Sequence, residues 1–232
     1  MKLNLSLLLL FTAAFLTTSC QSTNNKTSKE TTANEAVNTS GVTSNTPKKY
    51  LPKKEGLKRA YFASGCFWCV EAVYESVKGV EEVVSGYSGG HTQNPTYESS
   101  NTGRTGHAEA VEVFYDANII DFATLVEVYF GSQNISQVNG QGPDSGSQYR
   151  SIVFYQNDEE KAIIDKKVAQ LNEALPKKVA AEVTKFQMFW IAEDYHQDYE
   201  RLHPNQGYIR GVSVPRLKKF QNKFPQLVKE AH

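Results

Sequence analysis

Apolar positions along this 232-residue chain fall into short blocks whose spacing alternates between extended and helical. Tyr61 and Phe62 lead into the glycine turn Ser64-Gly65, and apolar residues at helical spacing follow through Val70, Val73 and Tyr74. That pattern predicts strand, turn and a helix opening near Cys66. Residues 79–87 predict a turn and a second strand, and Ser88-Gly89-Gly90 opens a polar loop reaching about Gly106. The alternation from His107 to Tyr115 puts His107, Glu109, Val111 and Val113 on one face and Ala108, Ala110, Glu112 and Phe114 on the other. Both faces are mostly apolar, which predicts a central strand covered on both sides. Phe122, Leu125, Val126, Tyr129 and Phe130 mark an amphipathic helix stopped at Gly131. A second Gly-rich loop covers residues 132–148, and a strand covers 149–155. A helix with Asp158 as its N-cap runs to about Ala174, a short strand covers 182–186, a helix covers 193–201, and residues 212–232 form a closing strap and helix. The expected fold is α+β, a two-layer α/β sandwich with a ferredoxin-like mixed sheet and long active-site loops.

The first residues do not fit that scheme. Met1-Lys2 precedes an apolar run from Leu3 to Leu16, too short to span a bilayer as a mature helix and suited to a secretory signal. Leu16-Thr17-Thr18-Ser19-Cys20 resembles a bacterial lipobox, which makes Cys20 the acylated first residue after removal of residues 1–19. Ordinary signal cleavage nearby is the alternative. From Gln21 to about Lys54 the chain is Ser, Thr, Asn and Lys with almost no large apolar residue, a disordered tether (20–54) leading to a catalytic domain over 55–232. The formal net charge of zero hides an uneven division: residues 21–60 hold eight Lys/Arg against three acids, and residues 61–232 sixteen against twenty-two. No basic surface interleaved with aromatics suggests nucleic acid.

Two of the three cysteines, Cys66 and Cys69, lie one helical turn apart around Phe67 and Trp68. A thiol at a helix N-terminus gains from unpaired N–H groups and the helix dipole, so Cys66 is expected to have a lowered pKa. A four-Cys zinc site requires a second Cys pair, which this chain lacks, and redox chemistry is the leading reading. Glu109, on a largely apolar strand, is expected to be desolvated and to hold its proton near neutral pH. A Cys/His hydrolase using Cys66 with His107 or His196 is the fallback, although it gives Cys69 no role. A passive lipid-anchored binding module explains the tether but not the cysteines.

The chain resembles the peptide-methionine (S)-S-oxide reductases, the A-type methionine sulfoxide reductases. The resemblance rests on Gly65-Cys66-Phe67-Trp68, Gly86-Tyr87-Ser88-Gly89-Gly90, Asn94-Pro95-Thr96-Tyr97, Thr105-Gly106-His107-Ala108-Glu109-Ala110-Val111, Gln141-Gly142-Pro143-Asp144 through Gln148-Tyr149-Arg150-Ser151, and Ala192-Glu193-Asp194-Tyr195-His196-Gln197. It implies that Cys66 attacks the sulfoxide sulfur of protein-bound or free methionine sulfoxide and that Glu109 protonates the oxygen. Tyr97 and Tyr149 then hydrogen-bond that oxygen, Asp144 holds the polar side of the site, and Phe67 and Trp68 receive the substrate methyl group. One branch of the family places its resolving cysteine in a C-terminal Gly-Tyr-Cys segment. This chain has Gly207-Tyr208-Ile209 and no cysteine after Cys69, so the resemblance implies a Cys66–Cys69 disulfide, with some unwinding of the helix. It also implies no bound cofactor or metal, a thioredoxin-type or dithiol reductant, and a monomer. Gln133-Asn134-Ile135-Ser136 departs from the His-Asp-Pro-Thr common in relatives.

Overall fold

The computed structural model describes residues 47–230. The expected signal peptide, Cys20 and the expected tether up to residue 46 lie outside the described residues.

β1 (Lys58–Ala63) starts exposed, becomes fully buried, and turns at Gly65 into α1 (Phe67–Glu75). Gly65 has φ +76°, and a Cβ there would lie 2.5 Å from the Gln141 Cβ, so the turn requires glycine. β2 (Val80–Ser88) follows, then α2 (Tyr97–Asn101), a five-residue helix in the first long loop whose Thr96 and Ser99 form a capping box. β3 (Ala108–Tyr115) leads to α3 (Phe122–Gly131), capped by the Asp121 side chain. The second long loop contains a small hairpin, β4 (Gly140–Gln141) with β5 (Asp144–Ser145), and a 3-10 turn at Ser147–Tyr149. Next come β6 (Ile152–Tyr155), α4 (Asp158–Ala174), β7 (Glu182–Lys185) and β8 (Phe189–Ile191). The chain closes with a 3-10 turn at Asp194–His196, α5 (Tyr199–Leu202), a π turn at Ile209–Ser213 continuing into α6 (Val214–Lys223), and a 3-10 turn at Pro225–Leu227.

The main sheet has the order β7-β6-β1-β3-β2-β8 and is antiparallel except between β6 and β7. β1 and β2 are therefore parallel with β3 between them, and β3 and β6 are parallel with β1 between them. The units β1-α1-β2 and β3-α3-β6 each skip a strand that belongs to the other, which is the ferredoxin-like arrangement expected from the sequence. One face carries Phe62, Val111 and Val113 against Val73 and Tyr74 of α1, Leu125 of α3 and Ile164 of α4. The other carries Tyr61, Ala108, Ala110 and Phe114 under Tyr50, Leu57, Phe186 and Phe189. β3 is buried along its whole length, as its two apolar faces predicted. Tyr50 lies against Phe114 with centroids 5.5 Å apart, and Lys54 pairs with Glu81 and Asp116 at 2.9 Å each, so packed chain begins ahead of residue 55.

Several elements differ from expectation. The N-cap of α4 is Asn157, whose side chain accepts from the Glu160 N–H, and not Asp158. The strand expected over 149–155 begins at Ile152, because residues 147–149 take a 3-10 turn. The helix expected over 193–201 is broken, with Asp198 at φ 56° separating the 3-10 turn from α5. β8 had no period to announce it, being three residues long. It pairs closely with β2 because position 86 is glycine: a Cβ there would lie 2.3 Å from the Trp190 carbonyl oxygen.

Candidate active site

Cys66 is the N-cap of α1 and Cys69 lies in its first turn; both are free thiols, 6% and 2% exposed. The first N–H of the helix, that of Phe67, donates to Glu109 Oε2 at 3.0 Å. Glu109 reaches it from the helix-facing side of β3, where it sits opposite Tyr87 of β2. Its carboxyl is 2% exposed, and burial pushes its pKa up to about 8, against the Phe67 N–H, which favours the ionised form. The expectation that Glu109 keeps its proton near neutral pH therefore holds.

The expectation for Cys66 does not. Burial pushes the Cys66 thiol well above its ordinary value, and the helix N-terminus it was expected to exploit is occupied by Glu109. The anion is favoured on Cys69, whose pKa falls to about 6, first through the hydrogen bond with Cys66 and then through the Arg216 charge, against burial, which raises it. Arg216 projects from α6 and donates to Ser64 O at 2.8 Å, Ser64 Oγ at 2.7 Å and Ser132 O at 2.9 Å, which ties the glycine turn to the end of α3. Cys69 and Arg216 share the wall of a cavity of about 390 Å³.

The aromatic side of the site is built on α1 and on the segment after β8. Phe67 is fully buried with its centroid 4.8 Å from His196, 6.1 Å from Trp68 and 6.4 Å from Tyr97. Trp68 is half-buried, stacks on Tyr199 at 3.8 Å, and donates its indole N–H to His196 Nδ1 at 3.1 Å. Tyr97 is held through its backbone N–H, which donates to Glu193 Oε1, and Tyr87 donates to the other oxygen of the same carboxylate, both at 2.9 Å. The Tyr149 hydroxyl donates to Asn101 Oδ1 at 3.4 Å. Asp144 accepts from the Tyr208 hydroxyl at 2.6 Å, and burial raises its pKa. The structure thus brings Cys66, Cys69, Phe67, Trp68, Tyr97, Glu109, Asp144 and Tyr149 around the N-terminus of α1.

Neither histidine of the hydrolase alternative is hydrogen-bonded to Cys66 or Cys69. His107 binds the Gly90 N–H through Nδ1 and meets Thr92 O through Nε2 at 2.8 Å, which pins the first long loop. His196 accepts from Trp68, and burial lowers its pKa and keeps it neutral. Asn101, Glu193, Tyr199, Tyr208 and Arg216 were not given roles from the sequence. Their partners are distant in the chain, and only Glu193 and Tyr208 lay inside a quoted segment.

A proton-carrying carboxyl beside a pair of buried thiols, walled by aromatics on a ferredoxin-like sheet, defines a thiol-dependent oxidoreductase. Residues 58–228 match the family described as Peptide methionine sulfoxide reductase. The chain is 45% identical over 172 residues to the peptide methionine sulfoxide reductase MsrA of Pasteurella multocida, covering 74% of this chain and 99% of that protein. Among solved structures it is similar to methionine sulfoxide reductase A of Corynebacterium diphtheriae, with a TM-score of 0.62, 30% identity, and coverage of 67% of this chain and 79% of that one. Mxr1 of Saccharomyces cerevisiae in its reduced form gives the same TM-score and identity, covering 68% and 91%. The chain belongs to the peptide methionine sulfoxide reductase family, and it is an oxidoreductase that reduces methionine sulfoxide.

Proposed function

We propose that this chain reduces the S epimer of methionine sulfoxide, protein-bound and free, and so repairs oxidised proteins. The observation that carries the reading is the buried, protonated Glu109 carboxyl held at the mouth of α1 beside the two thiols. Cys66 Sγ attacks the sulfoxide sulfur as its proton passes to Cys69, the neighbour on which the anion is favoured. Glu109 protonates the oxygen, and the hydroxyl passes to Cys66 Sγ as the S–O and Sγ–S bonds to the substrate sulfur break, so that methionine leaves and Cys66 becomes a sulfenic acid. Tyr97 and Tyr149 donate to the same oxygen, Asp144 lines the polar side, and Phe67 and Trp68 receive the methyl group. Cys69 then attacks Cys66, a disulfide forms and water departs. A thioredoxin-type or dithiol donor reduces the disulfide, and the protein acts as a monomer without a bound cofactor.

The same reading makes the protein an exported lipoprotein. Residues 1–19 are its signal, Cys20 carries the lipid, residues 20–54 are the tether, and the catalytic domain faces the periplasm or the cell surface. The apolar run from Leu3 to Leu16 and the small residues before Cys20 support it. Mass spectrometry of the mature N-terminus tests it, and an unmodified Cys20 overturns it. For the reaction, the chain is incubated with dithiothreitol and a mixture of methionine sulfoxide epimers. Disappearance of the S epimer alone is expected, and equal loss of both epimers overturns the assignment.

A further inference from the structure

Tyr208 has no role in the chemistry above, yet its hydroxyl joins two groups that do. It lies 3.7 Å from Cys69 Sγ and donates to Asp144 Oδ2 at 2.6 Å. A phenol has a single proton, and the short bond assigns it to the carboxylate. Once Cys69 has taken the Cys66 proton, the contact with sulfur is made by the Cys69 S–H donating to the phenolic oxygen. The ring is fixed in place: it meets Trp68 edge-on at 6.0 Å, and the next residue, Ile209, is fully buried with its N–H bonded to Gln206 Oε1 at 2.9 Å. In that state thiol, phenol and carboxylate form a chain whose hydrogen bonds all run from Cys69 towards Asp144.

We infer that Tyr208 is a catalytic proton relay for the resolving step, passing the Cys69 proton to Asp144 as Cys69 attacks the Cys66 sulfenic acid. The inference rests on the proposed Cys66–Cys69 disulfide. Cys69 holds the proton it took from Cys66 in the first step, and it must lose that proton to become a nucleophile. The S–H proton moves to the Tyr208 oxygen while the phenolic proton moves to Asp144 Oδ2, so Tyr208 ends neutral. The Sγ–Sγ bond forms and the Cys66 S–O bond breaks. Hydroxide leaves with the proton that Asp144 received, as water. No external oxidant or reductant enters, because the sulfenic acid is the oxidant and the Cys69 thiol the reductant.

The test mixes the reduced chain with methionine sulfoxide and dimedone and follows three products: methionine, the dimedone adduct of Cys66, and the Cys66–Cys69 disulfide. In the unaltered protein the disulfide forms and little adduct accumulates. In Tyr208→Phe the ratio of disulfide rate to methionine rate is expected to fall at least about tenfold, as for loss of a general acid–base group. The adduct appears, and the solvent deuterium isotope effect on disulfide formation shrinks. Asp144→Asn, which leaves the phenol in place, lowers the same ratio and keeps the test decisive if Tyr208→Phe does not fold. An unaltered ratio in both variants overturns the relay. If the unaltered protein gives only the adduct and never the disulfide, the assignment of Cys69 as resolver fails, and the relay with it.

Discussion

The Phe67 backbone N–H donates to the Glu109 carboxyl at 3.0 Å, which couples the N-terminus of α1 to the start of β3. Two effects act on this carboxyl in opposite directions. The helix terminus favours the anion, and burial favours the neutral acid. Burial prevails, leaving the group protonated up to about pH 8. The N–H remains aimed at the oxygen, so the carboxylate that appears when the proton leaves is received by a donor already in place. That is the arrangement a proton donor requires, since the product of proton transfer is stabilised without rearrangement.

Replacing Glu109 by Gln keeps an oxygen for the Phe67 N–H and removes the proton. Single-turnover methionine formation is expected to fall by about 100- to 10,000-fold, the range for loss of general acid catalysis. The sign of the pH dependence on this limb follows from the raised pKa: the competent Glu109 is protonated, so the rate declines as pH rises through about 8, while the need for a Cys69 anion lowers it below about pH 6. Stopped-flow or quench measurements across that range should show the decline in the unaltered protein and its absence in Glu109→Gln. An equal rate in both proteins removes Glu109 as the donor.

The cysteines separate the two halves of the cycle. Cys66→Ser abolishes methionine formation even in a single turnover, because a hydroxyl has no comparable nucleophilicity. Cys69→Ser leaves about one methionine per chain and loses turnover with a dithiol protein donor. Steady recycling of Cys69→Ser by such a donor contradicts its assignment as resolver.

Local pattern carried most of this far. The period of two from His107 to Tyr115 located β3 and both of its faces, and therefore the direction in which Glu109 points. The glycine turn and helical spacing after it located α1. What the sequence concealed depends on contacts between distant segments. The field at the α1 terminus was legible, but that Glu109 takes it in place of Cys66 is decided by the register of β3 against β2. Trp68 is held by His196 and Tyr199, and Cys69 by Tyr208 and Arg216, all more than a hundred residues away in the chain. The break at Asp198 arises where its backbone N–H, at left-handed φ, donates to the buried Glu71.

Glu71 gives the fold a pH dependence of its own. It is 2% exposed on α1, accepts from Ser85 Oγ at 3.1 Å and from the Asp198 N–H at 3.0 Å, and burial raises its pKa to about 8. Because the folded pKa lies above the ordinary value of 4.5, the contribution is fully present below about pH 4.5 and is lost as pH rises towards about 8. Glu109 acts with the same sign over the same window. Stability measured by urea unfolding should therefore decline across it, each group contributing up to about 1.4 kcal/mol per pH unit. Glu71→Gln can keep both partners, with its oxygen towards Asp198 and its amide towards Ser85 Oγ, and it should flatten the decline. A slope identical to that of the unaltered protein excludes Glu71 as its source.

Arg216 is the remaining control on the thiol pair. Its hydrogen bonds go to uncharged acceptors, Ser64 O, Ser64 Oγ and Ser132 O, so its half-buried charge is left for an anion to balance. Cys69 lines the same cavity and is the group whose anion the guanidinium favours. Arg216→Gln should raise the Cys69 pKa towards its ordinary value of 9.0. Arg216→Lys keeps the charge and loses the forked geometry, so it should fall between the two. Thiolate absorbance or alkylation rate against pH, measured in a Cys66→Ser background so that a single thiol titrates, reads the shift directly. Loss of the Ser64 and Ser132 bonds alone lowers stability without moving that titration. Identical thiol titrations in Arg216→Gln and the parent would therefore restrict Arg216 to bracing the glycine turn.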